Sequence, residues 1–562
     1  MMGVYYRDFG AVGDGKQDDF FAIKAAHDYA NEHLLNVHAD KNATYYIGSA
    51  NGTESITIKT NTYFHGCKFI FDDTVIDADS VGRRTSIFII ERDTPAVTYT
   101  DSDVKITSVK AGAENIGWKP GERAMIVLVD SNKRRYIRYG LNADNGSSQT
   151  EFIVVDADGN VDPTTPVQWD YDTVTKMTVY SINDRPIEIN GFEGDKRTNI
   201  ITWFNNGPSE YKYYSRNFTI RRSNVTLTGI EHSFDKYTPQ HQGGSGCPYN
   251  GIFNVSSCSD VTIADNVLEA PPRYYLIKDG CITQNMMGTY EFGAQLANNL
   301  TYRSCTQSNF FDPDGSVYKY GLMGTNECKN LTFDKVCVTT FDAHRGLYNA
   351  TLKDSVTAHI SLIGMGVVRF EDVTVYMRDR SPDAIEFRLD YGSSWWGDVY
   401  IDGLTLKYPT TRPDKEKCAI MRYGFTNHNF GYKSSMAQNM TFRNIVAVEY
   451  AFGMEDGERW ERVESCNAYG MRIFTAGADS VDDRSSDTLS GGVANLNPVT
   501  PPKSIKVYTE YTGKYAEIGI DNDLKFTIPS GPTYKDTKVI IDSTEYSYAD
   551  APIPTISAPK SK

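Results

Sequence analysis

The sequence predicts an all-β solenoid, because one short strand pattern recurs along the chain. Within each copy, apolar residues occupy the second and fourth positions, and threonine usually lies between them. This two-residue period is typical of a half-buried strand. The copies recur at intervals of 18 to 41 residues, as expected if each turn of the chain stacks on the one before it. They begin at Asn224, Asp260, Asn299, Asn330, Asn349, Val367, Asp398 and Asn439.

Two apolar columns define the predicted core. The second position holds Val225, Val261, Leu300, Leu331, Ala350, Val368, Val399 and Met440, and the fourth holds Leu227, Ile263, Tyr302, Phe333, Leu352, Phe370, Ile401 and Phe442. A further apolar pair follows in several copies, as at Val336 and Val338, which predicts a second inward-facing strand after a corner. Insertions are expected at the corners, often on one face, and that face is commonly the binding face.

Composition argues against several classes of protein. The chain has 562 residues, is 40% hydrophobic and contains no long apolar run, so we expect a large core and no membrane-spanning helix. A net charge of −15 argues against a nucleic-acid partner, because phosphates attract basic surfaces. The nine cysteines show no Cys-x-x-Cys spacing and are odd in number, which predicts structural thiols and no zinc site.

The segment 8–19, DFGAVGDGKQDD, resembles the DFGAxGDGxxDD opening of the pectate-lyase-like superfamily of right-handed parallel β-helix proteins. The resemblance implies that fold for this chain. It also implies that the helical pattern beginning near Phe21 caps the open end of the solenoid, with Asp18 or Asp19 as the helix N-cap. A cap is needed because the first turn would otherwise expose an unpaired strand edge and an apolar core.

The predicted domain organisation places the β-helix in residues 1–478, with the regular repeat in 217–475. The region 96–203 keeps a strand pattern but not the repeat, and its turn signals predict an inserted β subdomain. Residues 479–502 are rich in Ser, Asp, Gly and Pro and are predicted to be a linker. Residues 503–562 are predicted to form a small β module.

The resemblance implies a protein that binds or cleaves polysaccharides. Three classes stay open: a glycoside hydrolase with paired carboxylates, a lyase that removes a proton beside a uronate, and a tailspike-like glycan binder. A hydrolase needs no cofactor, whereas a lyase of this superfamily is usually helped by Ca²⁺. The motifs of the polygalacturonases are absent. The expected partner is a polysaccharide or oligosaccharide, and a tailspike-like protein would form a homotrimer.

The N-terminus and the resemblance both bear on where the protein acts. The N-terminus lacks the basic and apolar regions of a signal peptide. The resemblance implies action outside the cell, at a cell surface or on a virion, and a cytoplasmic location stays open.

Acidic residues recur just after the second strand of neighbouring copies. Asp342 lies twelve residues into its copy and Asp312 lies thirteen residues into the preceding one. Because adjacent strands are about 4.8 Å apart, we expect the two carboxylates to approach the roughly 5 to 5.5 Å separation of a retaining glycosidase pair. Asp314 is a second candidate carboxylate, and His344 is a candidate acid, base or sugar ligand. The alternative is that these aspartates only stabilise turns.

Further residues are predicted to bind the substrate. They are Arg345, Glu386, Arg388, Asp390, Tyr391, Trp395 and Trp396, with His359 on the same face. Exposed aromatic rings give sugars a flat apolar platform. Core packing of the loop predicted at 386–398 would equally explain the two tryptophans. If Asp342 only caps a turn, Glu386 and Asp390 form the alternative centre.

Overall fold

The computed structural model describes residues 3–48, 54–75, 85–140, 143–203, 217–235, 240–241, 251–270, 274–278, 281–285, 290–311, 317, 322–377, 383–409, 419–424, 428–455, 458–465, 471–476, 500–513, 524–527 and 534–556. Over these ranges the chain forms a right-handed parallel β-helix, which confirms the predicted fold class. Successive turns, called rungs below, pair in parallel along three faces.

Face A carries the predicted repeat. Its strands are Gly3–Tyr5, Asn36–His38, Thr62–Tyr63, Ile187–Asn190, Val225–Thr228, Phe253–Ala264, Phe292–Arg303, Lys329–Asp334, Leu347–Lys353, Gly364–Tyr376, Trp395–Pro409, Asn439–Glu455, Ser504–Val507 and Lys538–Ile541. The longer strands continue around a corner into a neighbouring face.

Faces B and C complete each rung. Face B contains Ile56–Ile58, Phe88–Ile90, Phe218–Ile220, Leu322–Asn326, Thr340–Arg345, His359–Leu362, Asp383–Phe387, Ala419–Tyr423, Met471–Ala476 and Leu524–Thr527, together with the first residues of Phe253–Ala264 and Phe292–Arg303. Face C contains Asp14–Asp18, Thr44–Ile47, Lys68–Asp72, Thr198–Trp203, Ile230–Asp235, Val267–Leu268, Thr306–Gln307 and Val356–Thr357.

The core forms from the predicted apolar columns. Leu300, Leu331 and Ala350 are successive partners on face A, and the same register runs through all eight copies. Every residue of both columns is buried. Alternate residues point outward, so a two-residue period places one continuous apolar stripe inside the solenoid.

The Asn or Asp that opens most copies of the repeat is explained by the backbone conformation at that position. Asn330 and Asn349 open their copies with φ of 59° and 55°, in the left-handed region that Asn and Asp tolerate better than most residues. Their side chains are also linked along the corner, since Asn349 Nδ2 donates to Asn330 Oδ1 at 3.1 Å. The Asn-x-Thr triplets therefore follow from the geometry of the corner.

A helix covers the N-terminal end of the solenoid. It spans Phe20–His33 and buries Phe20, Ile23 and Ala26 against the first rungs. Asp18 Oδ1 accepts a hydrogen bond from Phe20 N at 3.0 Å and stabilises the start of the helix. The Asp19 carboxylate instead accepts from Val12 N and Gly13 N, so it closes the loop before the helix.

The predicted insertion is an antiparallel sheet beside the β-helix. Its strands are Val97–Thr100, Ala124–Arg135, Ser147–Val155 and Lys176–Ser181. It ends earlier than the predicted boundary at 203, because Ile187–Asn190 and Thr198–Trp203 already pair in parallel with rungs of faces A and C. Apolar alternation alone could not separate these rung strands from the strands of the insertion.

A buried ion pair joins the insertion to face A. Lys329 Nζ lies 3.2 Å from Glu151 Oε2, and the two side chains are 1% and 3% exposed. Lys329 Nζ also donates to the backbone oxygen of Pro166 at 2.8 Å, while Glu151 accepts from the amides of Gln168 and Trp169. Burial lowers the pKa of Lys329 and raises that of Glu151.

The remaining elements lie at the edges of the solenoid. Glu458–Ser465 and Thr544–Ser547 form hairpins with face A strands, and Thr555–Ile556 pairs with a face B strand. Gln240–His241, Tyr274–Lys278 and Cys281–Asn285 form a small separate sheet. Short 3-10 helices occupy Tyr6–Phe9, Asp101–Asp103 and Leu389–Tyr391.

The C-terminal strands extend the solenoid. Ser504–Val507 pairs in parallel with Asn439–Glu455, and Lys538–Ile541 pairs with Ser504–Val507. A linker at 479–502 stays a prediction, because most of it lies outside the described residues. In the part of the chain that the structure describes, no helix is long and apolar enough to cross a membrane.

Cysteines and a histidine lie in the interior of the solenoid. Cys305 is fully buried and Cys337 is mostly buried, as expected for structural thiols, and burial raises the pKa of Cys305 to about 12. His232 is a core histidine that contacts Thr202 Oγ1 through Nε2 at 2.9 Å. Burial lowers the pKa of His232 to about 3, so the ring is uncharged at neutral pH.

Candidate active site

Three neighbouring strands of face B position the candidate site. Asp342, Ser361 and Glu386 are successive partners in the strands Thr340–Arg345, His359–Leu362 and Asp383–Phe387. All three side chains belong to one outward column, since residues on each side of them point into the core. Asp342 and Glu386 are separated by two strand spacings, or roughly 10 Å between backbones.

Asp342 is held by two basic side chains. Arg388 Nη1 donates to Asp342 Oδ1 at 2.5 Å, and His344 Nδ1 lies 3.1 Å from Asp342 Oδ2. Burial favours the neutral acid, but Arg388 and then His344 outweigh it, so the pKa of Asp342 is lowered from its ordinary value. Asp342 is therefore a carboxylate at neutral pH.

Glu386 has its own pair of basic neighbours. His359 Nε2 lies 3.4 Å from Glu386 Oε2, and Arg422 Nη2 lies 3.2 Å from the same oxygen. Arg422 is buried and also contacts Asp383, with Nε to Oδ1 at 3.0 Å. Burial opposes ionisation, but Arg422 and His359 outweigh it and hold the pKa of Glu386 well below its usual range.

The inserted sheet reaches this cleft through Arg138. Its Nε lies 2.7 Å from Asp390 Oδ2, while Arg388 donates two hydrogen bonds to the two oxygens of the same carboxylate at 3.1 and 2.9 Å. Such a two-point pairing fixes the plane of the guanidinium. Arg388 therefore bridges Asp342 and Asp390, and Arg138 anchors the insertion at the cleft.

His344 occupies a β-bulge. Thr325 pairs with Ala343 and Asn326 pairs with Arg345, so His344 is the extra residue of its strand. Burial lowers its pKa to about 4, although Asp342 acts in the opposite direction. At neutral pH the ring is uncharged, and the carboxylate beside Nδ1 favours the tautomer with the proton on Nδ1.

These groups enclose a cleft of about 310 Å³. It is lined by Thr340, Asp342, His359, Ser361, Glu386, Arg388, Leu389 and Asp390. In and directly beneath it, among the described side chains, the carboxylates Asp342, Asp383, Glu386 and Asp390 face the guanidiniums of Arg138, Arg388 and Arg422. Acid groups outnumber arginines by one, so the cleft is slightly acidic when its histidines are neutral.

The structure brings together most of the predicted polar residues. Asp342, His359, Glu386, Arg388 and Asp390 line the cleft, and His344 contacts it through Asp342. Arg345 lies on the same strand but points toward Glu327, with Nε to Oε1 at 3.7 Å. Asp312 and Asp314 lie outside the described residues, so the predicted pairing of Asp342 with either stays a prediction.

Of the aromatic residues predicted to bind sugar, Trp395 and Tyr391 are buried and Trp396 is partly exposed. Trp395 is fully buried and its indole Nε1 donates to Gly366 O at 3.2 Å, so it packs in the core and cannot offer a sugar platform. Trp396 is partly exposed and packs against Trp169 of the insertion and against Tyr432. Tyr391 is buried beneath Arg388.

Sequence reasoning missed several residues of the site, namely Arg138, Tyr290, Ser361, Asp383 and Arg422. Arg138 comes from the insertion, which carries no repeat to align. Asp383 and Arg422 belong to face B strands that lack the Asn-x-Thr pattern of face A. Strand register is the one signal that could have identified Arg422, because Arg422 is the direct partner of Glu386 on the neighbouring face B strand.

No metal site can be assigned. Among the described residues, no group of three or more His, Cys, Asp or Glu side chains is placed to hold a metal ion. The Ca²⁺ that a lyase would use therefore stays a prediction, with no such group among the described residues.

Comparison with known proteins finds no matching family model and no matching curated protein. Among solved structures, the chain is similar to the Gp54 tailspike of Acinetobacter baumannii bacteriophage AP22, solved with a capsular saccharide, at 9% identity and a TM-score of 0.45, covering 96% of this chain and 79% of that one. It is similar to the tailspike gp49 of Pseudomonas phage LKA1 at 12% identity and a TM-score of 0.43, covering 96% and 83%. An exopolygalacturonase from Thermotoga maritima matches at 10% identity and a TM-score of 0.26, covering 97% and 93%. Similarities this distant do not decide the function.

Proposed function

We propose that this protein hydrolyses glycosidic bonds of a polysaccharide or oligosaccharide in the face B cleft, with Asp342 and Glu386 as the catalytic carboxylates. One observation carries the proposal: the two acids share an outward column with only the small Ser361 between them. Their backbones are roughly 10 Å apart, and inverting glycosidases separate their carboxyl groups by about 6.5 to 9.5 Å. This spacing leaves room for a water molecule beside the sugar, so inversion of configuration is expected.

The two carboxylates are suited to different roles. Glu386 is held ionised by Arg422 and His359, so it serves as the base that activates water. Asp342 owes its lowered pKa chiefly to Arg388. When the hydroxyl groups of a sugar compete for Arg388, Asp342 loses that support, and burial then raises its pKa toward that of a proton donor.

The charge balance of the cleft favours hydrolysis over elimination. Elimination requires a uronate, whose carboxylate must be neutralised by a cation. Arg388 and Arg138 are already paired with Asp390, and Arg422 is paired with Glu386. A uronate would have to displace an internal carboxylate in a slightly acidic cleft, and the repulsion disfavours it. A neutral glycan carries no charge and is not repelled by the carboxylates of the cleft.

A lyase is the second candidate, and His344 is the observation that favours it. Because its imidazole is uncharged at neutral pH and lies beside a carboxylate, His344 has a nitrogen available to accept a proton. In either form we propose that the protein acts outside the cell, at a cell surface or as part of a virion. A homo-oligomer, including a trimer, stays a prediction that sedimentation velocity would test.

The test is digestion of a glycan panel that contains neutral and uronate polysaccharides. New reducing ends without ultraviolet-absorbing product indicate hydrolysis, because only elimination produces a conjugated unsaturated uronate. Proton NMR of the first product then gives the anomeric configuration, which should be inverted. Ultraviolet absorbance that rises with cleavage would refute hydrolysis and select the lyase.

Site variants test the assignment of roles. Asp342→Asn and Glu386→Gln should each lower kcat about 10²- to 10⁴-fold, the usual effect of removing a positioned acid or base. Glu371→Gln, on the outside of face A, is the matched control and should keep full activity. Near-normal turnover by both site variants would place the chemistry elsewhere. A loss of activity that merely follows unfolding in a thermal melt would assign the two acids to stability.

A further inference from the structure

The outward column that contains Asp342 continues into bare backbone. Gly324 pairs directly with Asp342, and Gly293 pairs with Gly324. The floor beyond the catalytic acid therefore lacks side chains over two successive rungs.

Tyr290 lies on this floor. A Cβ atom added to Gly324 would lie 1.9 Å from Cδ1 and 2.2 Å from Cε1 of the Tyr290 ring. Real atoms do not approach so closely, so the ring rests on the strand only because residue 324 is glycine. The Tyr290 side chain remains partly exposed.

The hydroxyl group of Tyr290 ties the ring to the site. It lies 3.1 Å from His344 Nε2 and 3.3 Å from His344 Nδ1, and His344 Nδ1 lies 3.1 Å from Asp342. Packing on Gly324 and the contact with His344 hold the ring about one strand spacing from Asp342, on the neighbouring strand. Tyr290 is therefore positioned before any ligand arrives.

We infer that Tyr290 is the stacking platform for the sugar unit next to the bond that is cleaved. The inference rests on the proposed function and names a binding residue beside the cleft, which contacts it through His344 and Asp342. A preorganised, partly exposed ring offers an apolar surface to the C–H face of a pyranose, while its hydroxyl stays engaged with His344. The ligand class is a pyranose glycan whose sugar at this subsite has one face free of axial hydroxyl groups.

The experiment measures binding without turnover. In a Glu386→Gln background, the dissociation constant is measured by calorimetry for oligosaccharides of laminarin, mannan, xylan and polygalacturonate. Tyr290→Ala should weaken binding of the accepted oligosaccharide roughly ten-fold, and Tyr290→Phe should bind almost normally because it keeps the ring. The control is Tyr400→Ala, which removes an outward ring from face A.

The outcomes separate this inference from the proposed function. If the background protein binds an oligosaccharide and Tyr290→Ala binds it equally well, the platform is refuted while the proposed function stands. If the protein neither binds nor cleaves any member of the panel, both fail. Thermal melts identify a misfolded Tyr290→Ala, in which case Tyr290→Leu replaces it. Should Tyr290→Phe lose as much affinity as the alanine variant, the hydroxyl rather than the ring binds sugar, and the inference is wrong.

Discussion

Replacing Phe333 with alanine tests the core register of the solenoid most directly. Phe333 lies in the strand Lys329–Asp334 and is 2% exposed. Its ring stacks on Tyr302 of the preceding rung, with centroids 5.4 Å apart and planes 8° apart, and meets the edge of Phe341 at 4.7 Å. On the following rung its register partner is Leu352. The ring thus has close neighbours on two rungs and on face B.

The expected loss of stability follows from these contacts. Removing a buried phenylalanine side chain costs about 3–5 kcal/mol, the sum of the lost transfer free energy and the cavity that remains. Aromatic contacts add about 0.5–1.5 kcal/mol each beyond the buried area, so we expect a value in the upper half of that range. Collapse of the cavity is limited, because parallel pairing on both sides fixes the strand.

The assay is the free energy of unfolding from urea titration, followed by circular dichroism. Thr332→Ala is the matched control, since Thr332 is the neighbouring residue on the same strand and points outward. It should change stability by no more than about 0.5 kcal/mol. A loss below about 1 kcal/mol for Phe333→Ala, or equal losses for both variants, would refute the register in which the fourth column faces the core.

Three further predictions concern buried ionisable groups. Lys329→Met should lower the free energy of unfolding by about 3–5 kcal/mol, because it leaves Glu151 buried without its counter-ion. Adding Glu151→Leu should restore most of this stability in the same urea assay. A loss below about 1 kcal/mol for Lys329→Met alone would refute the buried ion pair. Burial lowers the pKa of His27 and His232 to about 3, so both stabilise the fold fully above pH 6.5 and lose that contribution as pH falls toward 3, by about 1.4 kcal/mol per pH unit each. Stability that stays flat between pH 6.5 and 4 would contradict this. Arg388→Gln should raise the pKa of the catalytic acid and move the alkaline limb of kcat/KM to higher pH. An unchanged limb would exclude Arg388 as the group that holds this pKa down.

The candidate site was only partly accessible to sequence reasoning. Asp342 could be selected because it follows a repeat whose register is regular. The sequence identifies Glu386 as a substrate-binding candidate and, with Asp390, as an alternative centre. It does not predict the alignment of Glu386 with Asp342 across Ser361, since face B strands lack the Asn-x-Thr pattern of face A. Arg422 holds Glu386 from a strand 36 positions further along the chain. No local pattern links residues so far apart.

Trp395 and Trp396 show the same limit within a single strand. Adjacent residues of a strand point to opposite sides, so one of the pair had to be inside. The sequence offered no means to choose, because tryptophan suits both a core and a sugar platform. Register with Gly364 and Met365 of the preceding rung places Trp395 inside and Trp396 at the rim.

By itself the sequence determined the solenoid, its two apolar columns on face A and the need for an N-terminal cap. These features depend on periodicity, which is local and repeats in every rung, so the signal accumulates along the chain. The tertiary structure decided which outward residues meet: the column of Asp342, Ser361 and Glu386, the arginines that hold the two acids, the glycine floor under Tyr290 and the reach of Arg138 from the insertion. Those contacts depend on the lengths of irregular corners and on the docking of an insertion with its own core. A single residue of slippage in a strand would turn each of these side chains to the opposite side of the sheet.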